Sequence, residues 1–166
     1  MKTPKLFITS TLSLRKEHKE EVKRLKRFKF LEHTADAYVA AYGSTLEEAF
    51  ENAAYATFEV MTEAEKIEPK IEENVEVEGY DEQSLLYNWL EAFLVKFDTA
   101  GKLYSRFKIH KIEKTKEGYR LIARIWGETY NSKKHPQKVG IKAVTYHRME
   151  IVKKPEQITL KFILDI

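Results

Sequence analysis

The candidate chemistry of this sequence lies in polar residues that interrupt otherwise apolar strand patterns. Such a residue must be solvated, paired or used in binding, because an unpaired buried polar group is costly. Four segments contain them: Glu-His-Thr-Ala-Asp at residues 32–36, Gly127-Glu128, residues 140–147 with Lys142 and His147, and Asp165-Ile166. We therefore look for a site among these four segments.

The last strand pattern supports an oxygen-rich metal site. Alternation along residues 158–165 places the apolar side chains mainly on one face and Asp165 on the other. In a chain that ends at Ile166, the α-carboxylate stands next to the Asp165 side chain. If Asp36 comes alongside, three hard oxygen ligands converge, and these suit Ca²⁺, Mg²⁺ or Mn²⁺ better than a soft metal. Without a cation, such carboxylates repel one another.

Each of these residues also has an ordinary structural explanation. Asp165 alone is typical of a solvated strand end, and His33 with Asp36 is typical of turn capping. Lys142 and His147 would then be solvated strand residues or satisfied histidines. The sequence contains no Gly-rich phosphate loop, no nucleophile elbow and no His-Glu-x-x-His pair. Taken singly, none of these residues indicates an activity.

Charge and composition exclude several classes of protein. Residues 1–29 hold ten Lys or Arg and three Glu (net +7), whereas residues 30–166 hold nineteen basic and twenty-three acidic residues (net −4). We therefore expect no positive nucleic-acid groove in the main part of the chain. The chain has no cysteine, which excludes disulfides and zinc–thiolate sites and favours a cytoplasmic protein. No apolar stretch is long enough for a membrane span, so we expect no membrane partner.

Hydrophobic periodicity predicts an α+β domain over residues 28–166, preceded by a basic arm at residues 1–27. Within the arm, Lys16 to Arg27 is typical of a charged helix, and we expect only part of the arm to be ordered. The domain is predicted to contain two helices packed on one face of a largely antiparallel sheet. The first helix would run from Ser44, capped by a Ser44–Glu47 box, to about Thr62, and the second from about Asp81 to Thr99.

The strands are predicted on both sides of these helices. Residues 28–32 and 37–42 form short strands before the first helix, and a strand around Val75 and Val77 separates the two helices. A hairpin then joins residues 107–112 to residues 119–126. The remaining strands are predicted at residues 140–147, 149–153 and 158–164.

Taken together and in this order, the segments resemble the archease family. The resemblance covers Phe28 to Ile166, and the basic arm lies outside it. Its markers are residues 32–36, Leu-Leu-Tyr-Asn-Trp-Leu at residues 85–90, Gly127-Glu128, Lys-Ala-Val-Thr-Tyr-His at residues 142–147, and the final Asp-Ile.

The resemblance implies an accessory protein rather than an enzyme. Archeases are partners of the RtcB-type RNA ligase, which joins exon halves in tRNA splicing and uses manganese and GTP. The family promotes guanylylation of the ligase and its multiple turnover, and it contacts RNA only through the ligase. Carried onto this sequence, the resemblance implies a divalent metal such as calcium held by Asp36, Asp165 and the carboxylate of Ile166, with Lys142 acting in ligase activation. As an extension, we expect three further residues near this site, namely His33, Glu128 and His147.

Two other functions remain open alternatives. A metal-dependent hydrolase could use the same carboxylates with Glu128 or His147 as general base, and it would turn over substrate without any ligase. An RNA-binding module acting through the basic arm would bind RNA in a salt-sensitive way, and binding would vanish on removal of residues 1–27.

Overall fold

Seven strands in two antiparallel sheets, three α-helices and one 3-10 helix at Ala64–Lys66 form the part of the chain that the structure describes. The structure is a computed structural model that describes residues 5–166, without the side chains of residues 5–10, 20 and 23–25. The predicted α+β class is confirmed. The elements are α1 Lys5–Arg27, β1 Phe28–Leu31, β2 Ala37–Gly43, α2 Leu46–Met61, β3 Ile71–Gly79, α3 Glu82–Ala100, β4 Lys102–Thr115, β5 Gly118–Thr129, β6 Ala143–Lys153 and β7 Ile158–Asp165.

The strands divide between two sheets rather than forming the single sheet that was predicted. One sheet has the order β1-β2-β7-β6 and the other has the order β3-β5-β4. Helix α2 packs on β2 and β4, and helix α3 packs on β3 and β6, so each helix contacts both sheets. The two apolar helix faces therefore join the sheets into one core. Apolar periodicity locates such faces but does not assign each strand to a sheet.

An aromatic cluster fills the space between the helices and the three-stranded sheet. Phe93 of α3 lies 4.6 Å from Trp89, 5.6 Å from Phe58 of α2 and 5.3 Å from Phe107 of β4, measured between ring centroids. The Trp89 indole donates to the Phe50 carbonyl oxygen at 2.9 Å, which satisfies its buried N–H group. Burial of these rings is the main apolar contribution that links α2, α3 and β4.

The start of α2 corrects the predicted capping residue. Thr45, not Ser44, is the N-cap, and its side chain accepts a hydrogen bond from the Glu48 backbone N–H at 3.1 Å. The Glu48 carboxylate accepts from the Ser44 N–H at 2.6 Å. The predicted Ser44–Glu47 box is therefore wrong by one residue, because two adjacent hydroxyl residues can both cap and the pattern does not distinguish them.

The ends of α3 match the prediction. Asp81 accepts from the Ser84 backbone N–H at 2.7 Å, and the Asp81 N–H donates to the Ser84 hydroxyl at 3.0 Å, which completes a capping box. Gly101 ends the helix with φ 61°, a left-handed conformation that glycine adopts without a Cβ penalty.

The predicted strands at residues 140–147 and 149–153 are one strand with a bulge. In β6, Thr145 pairs with Ile163, but the next pair is Glu150 with Lys161, so the register shifts between them. Arg148 has φ 56° within this irregular stretch. The prediction that Lys142 lies in a strand is wrong, because β6 begins at the next residue.

Helix α1 extends the predicted charged helix towards the N-terminus, to Lys5. It joins β1 directly, and Arg27 secures this junction. The Arg27 Nε donates to the Asn52 side-chain oxygen at 2.8 Å, and the guanidinium lies 3.8 Å from the Tyr55 ring centroid. We expected only part of the arm, residues 1–27, to be ordered. Residues 1–4 lie outside the described residues, and this expectation stays a prediction.

The structure predicts opposite effects for two glycine substitutions. A Cβ on Gly127 would overlap the Leu103 carbonyl oxygen in the paired strand β4, whereas a Cβ on Gly140 would meet no atom within 4 Å. We expect Gly127→Ala to lower the free energy of unfolding by about 3 kcal/mol, because paired backbone cannot move aside. Urea denaturation of both variants measures this, with Gly140→Ala expected close to wild type. Equal stability of the two variants would contradict the close strand approach.

Candidate functional site

The register of the four-stranded sheet brings Asp36 and Asp165 to the same end of neighbouring strands. Ala37 of β2 pairs with Leu164 of β7, and Tyr38 pairs with Ile163. Asp165 is the last residue of β7, and Asp36 directly precedes β2, one position beyond the last residue pair. Both aspartates therefore lie at the same end of the two neighbouring strands. Both side chains are half-buried.

This carboxylate pair lies on the side of the sheet away from the core. Val39 and Phe162 face the helices and are fully buried in the core, while Tyr38 and Ile163 alternate to the opposite side. The Tyr38 ring is partly covered by the Arg148 guanidinium, 5.3 Å from the ring centroid. The pair thus lies towards the face that carries Tyr38 and Ile163, which are buried, and 27% of the Asp36 side chain remains exposed.

His33 lies next to Asp36 and orients it. Its Nδ1 accepts a hydrogen bond from the Asp36 backbone N–H at 3.4 Å and lies 3.7 Å from the Asp36 Oδ2. Because Nδ1 accepts, the ring proton of the neutral imidazole is assigned to Nε2. The His33 ring also packs edge-on against Tyr38 at 6.2 Å between ring centroids. The loop between β1 and β2 is thereby folded around Asp36.

Lys142 reaches the same end of the sheet from the other side of β7. Its backbone N–H donates to the Asp165 carbonyl oxygen at 2.7 Å, and Ala143 pairs with Asp165. The Lys142 side chain is exposed. The strand order β2-β7-β6 therefore gathers Asp36, Asp165 and Lys142 from distant parts of the sequence.

Glu128 lies in the other sheet, and the expectation that His147 lies near the carboxylates stays a prediction. Glu128 belongs to β5 in the three-stranded sheet, where its Oε1 accepts from Lys134 Nζ at 2.6 Å and from the Glu68 N–H at 2.9 Å. His147 is exposed in the irregular part of β6. The next residue, Arg148, covers the Tyr38 ring, so this irregular segment folds over β2 near Asp36.

Glu128 instead forms the centre of a buried ionic cluster with His135. The His135 Nε2 lies 2.8 Å from Glu128 Oε1, and its Nδ1 accepts from the Asn131 N–H at 2.9 Å. Burial by itself raises the pKa of Glu128, but hydrogen bonds from Lys134, the Glu68 N–H and His135 outweigh it and lower the pKa to about 2. This cluster fixes the loop after β5, which leads towards Lys142.

Sequence reasoning underestimated this cluster. His135 is 1% exposed, and Lys134 bridges Glu128 to Glu68 with a 2.9 Å ion pair to the latter. The available signal was a glutamate at the end of an apolar strand with a histidine in the following loop. A glutamate and a histidine placed in this way can form a structural hydrogen-bonded pair as readily as a metal site, and here they form the pair.

The oxygen ligands at the Asp36 end have the chemistry that hard cations require. Among the residues that the structure describes, no group of three or more His, Asp or Glu side chains is placed to hold a metal. The oxygen groups at this end of the sheet are the side chains of Asp36 and Asp165, and carboxylate oxygens suit Ca²⁺, Mg²⁺ or Mn²⁺ better than a soft metal.

Residues 28–166 match the model of the Archease protein family (MTH1598/TM1083). The chain belongs to the archease family. The chain is 45% identical to protein archease of Sulfurisphaera tokodaii, over 86% of this chain and 100% of that protein. It is 48% identical to protein archease of Pyrococcus abyssi, over 80% of this chain and 92% of that protein. The resemblance noted from the motifs is thus confirmed.

Two solved structures resemble this one. The solution structure of Methanobacterium thermoautotrophicum protein 1598 superimposes with a TM-score of 0.73, is 41% identical, and the match covers 85% of this chain and 99% of that one. The crystal structure of an archease and possible chaperone from Thermotoga maritima has a TM-score of 0.51 and 20% identity over 83% of this chain and 96% of that one. The second likeness concerns the fold alone.

Glu128 predicts an acid-dependent loss of stability. Because its pKa is lowered from 4.5 to about 2, its contribution is present above pH 4.5 and is lost as the pH falls towards 2. The full effect is about 3 kcal/mol. We expect Glu128→Gln to be less stable at pH 7 and to show a flatter stability profile between pH 5 and 2 than wild type. Thermal unfolding across this range is the measurement. Glu117→Gln, at an exposed turn, should keep the wild-type profile, and a Glu128→Gln profile parallel to wild type would contradict the assignment.

Proposed function

We propose that this archease activates an RtcB-type tRNA-splicing ligase through a divalent cation held by Asp36, Asp165 and the carboxylate of Ile166. The observation that carries the proposal is the β2–β7 register, which brings Asp36 and Asp165 to the same end of neighbouring strands. Membership of the archease family supports an accessory rather than a catalytic role. We place this activity in the cytoplasm, in keeping with a chain that has no cysteine.

Electrostatics support a cation between the two aspartates. Like charges held at the same end of neighbouring strands repel each other. Among the residues that the structure describes, no Lys or Arg side chain lies within 4.0 Å of either carboxylate, and the ionisable partner of Asp36 is His33. A divalent ion at this position neutralises the pair, and the oxygen ligands match its preference.

The position of the site supports a role towards another protein. When bound, the cation supplies positive charge and coordination positions at the outer face of the sheet. Asp36, Asp165 and the Ile166 carboxylate would hold it, and His33 orients Asp36 through the 3.4 Å hydrogen bond. Such a surface is suited to inserting into a nucleotide site of a partner that itself uses metal ions.

Lys142 adds a second functional group at this end of the sheet. Its backbone is tied to Asp165, so the position of its exposed ammonium group depends on the strand that carries the carboxylate. A lysine ammonium is a compact point charge that binds phosphate oxygens. We propose that Lys142 contacts a phosphate in the ligase nucleotide site while the cation is positioned beside it.

The hydrolase alternative has less support. It needs a general base beside the carboxylates, and the two candidates were Glu128 and His147. Glu128 is held in the other sheet by Lys134 and His135, and His147 is exposed beyond the first pairs of β6. A base must lie within hydrogen-bond reach of the proton that it abstracts.

The carboxylate pair can be tested separately from the ligase. We expect Asp36→Asn and Asp165→Asn each to weaken Ca²⁺ and Mn²⁺ binding by at least tenfold, because each removes one anionic ligand. Isothermal titration of the purified protein measures the affinity. Asp98→Asn, on the exposed surface of α3, is the matched control and should bind as wild type does. Unchanged metal affinity in both site variants would refute the proposed ligand set.

The proposed role of Lys142 predicts that metal binding and stimulation of the ligase can be separated. Lys142→Ala should bind the metal with an affinity close to wild type but lose most of its stimulation of multiple-turnover RNA ligation by the cognate ligase. Lys154→Ala, which removes another exposed lysine, should stimulate normally. Stimulation by Lys142→Ala at the wild-type level would exclude a direct role for this side chain, and turnover of RNA without ligase would favour the hydrolase.

A further inference from the structure

Helix α1 carries a positive surface that the proposed function does not use. The family match begins at residue 28, and the Sulfurisphaera tokodaii relative is covered along 100% of its length by 86% of this chain. Residues 1–27 are therefore additional to the archease domain. They contribute most of the +7 charge of residues 1–29, against −4 in the rest of the chain.

The described basic residues of α1 form one stripe. Arg15, Lys16, Lys19 and Lys26 fall within an arc of about 100° when they are projected down a helix of 3.6 residues per turn. Glu17 and Glu21 project at least about 100° away from this arc. The four basic side chains are exposed, and the stripe is about 16 Å long at 1.5 Å per residue. We call these four residues the basic stripe.

The junction with the domain holds the stripe clear of the core. Arg27, the last residue of α1, is anchored by its hydrogen bond to Asn52 and its contact with the Tyr55 ring. Partial burial among these groups lowers the Arg27 pKa, although Tyr55 and Glu51 oppose that effect. The described side chains at residues 11–22 are exposed rather than packed on the domain. The helix therefore presents its charge to the solvent from one fixed end.

We propose that the basic stripe docks on the phosphate backbone of structured RNA. Lysine and arginine clustered along one helix face are the electrostatic footprint of a nucleic-acid backbone contact, and a 16 Å stripe reaches several phosphates. The acidic remainder of the chain repels a polyanion, so docking is confined to α1. We choose RNA rather than DNA because the proposed function acts on RNA. Only this choice depends on the proposed function.

The composition of residues 11–27, which carry the basic stripe, favours RNA over a lipid surface, whereas Leu6, Phe7 and Ile8 precede this segment in α1. A helix that lies in a membrane interface carries Trp, Phe and Leu side chains opposite its basic face. Between residues 11 and 27, the apolar side chains are Leu12, Leu14, Val22 and Leu25, and none is aromatic. No helix in the described part of the chain is long and apolar enough to cross a membrane.

The test is RNA binding by the full-length protein in EDTA, so that the metal site plays no part. The probe is a fluorescein-labelled RNA hairpin with a stem of about 20 base pairs, followed by anisotropy across a KCl series. The stripe variant replaces Arg15, Lys16 and Lys19 by alanine, which favours helix. The matched control replaces Lys116, Lys133 and Lys154, three exposed lysines of the domain, and lowers the net charge equally.

We expect the stripe variant to bind at least tenfold more weakly at low salt and to reduce the slope of log affinity against log salt by about 2–3. The control should stay within twofold of wild type. Equal RNA affinity of all three proteins, or an equal loss in both variants, would overturn the proposal. So would stripe-dependent binding to phosphatidylserine vesicles, or stripe-dependent dimerisation, without RNA binding. The assay contains no ligase, so its failure would leave the proposal for Asp36 and Asp165 untouched.

Discussion

The insertion of β7 between β2 and β6 is the constraint on which the candidate site depends. This strand pairs with β2 through seven residue pairs, from Ala37–Leu164 to Gly43–Ile158. The pairing buries Val39, Phe162 and Leu164 against the helices and leaves alternate residues on the outer face. A slip of one residue would exchange these two sets, so burial of the apolar set fixes the register strongly. The position of Asp36 relative to Asp165 follows from that burial, and no contact between the aspartates is needed to maintain it.

The two helices reinforce this constraint by sharing both sheets. Helix α2 lies against β2 and β4, and helix α3 lies against β6 and β3. Displacement of either helix would therefore disturb both the sheet with the carboxylates and the sheet with Glu128. The Glu128 cluster also stabilises this region, because its hydrogen bonds fix the loop between β5 and Lys142. The end of the molecule that carries the candidate site is thus supported in two separate places, by packing of the helices and by the ionic network around Glu128.

Much of this architecture could be predicted from sequence, and the exceptions have identifiable causes. The limits of α3 follow from Asp81 and Gly101, whose capping roles are specific to helix ends. The bulge in β6 depends on Arg148 in a left-handed backbone conformation, and the residue type at this position does not predict that conformation. The division into two sheets depends on which strands α2 and α3 cover, a long-range property that local periodicity does not contain. Alternation predicted that Asp165 faces away from the apolar side of the last strand. The pairing of β2 with β7 was not predicted from the sequence and is seen only in the structure. Glu128 was singled out from the sequence as a polar residue that interrupts an apolar pattern, and only the structure distinguished its pairing with His135 from a place beside Asp36.

The central position of β7 also has a consequence for the order of folding. Its partner β2 lies about 120 residues earlier, so the chain must close a very large loop before the four-stranded sheet is complete. Contacts of this separation are formed late and slowly compared with helices and hairpins. During synthesis, the edge of β2 that will pair with β7 remains unpaired, whereas the β4–β5 hairpin can already form. The carboxylate pair is consequently among the last features to assemble, and a nascent chain that has not yet incorporated β7 lacks one half of the proposed cation site.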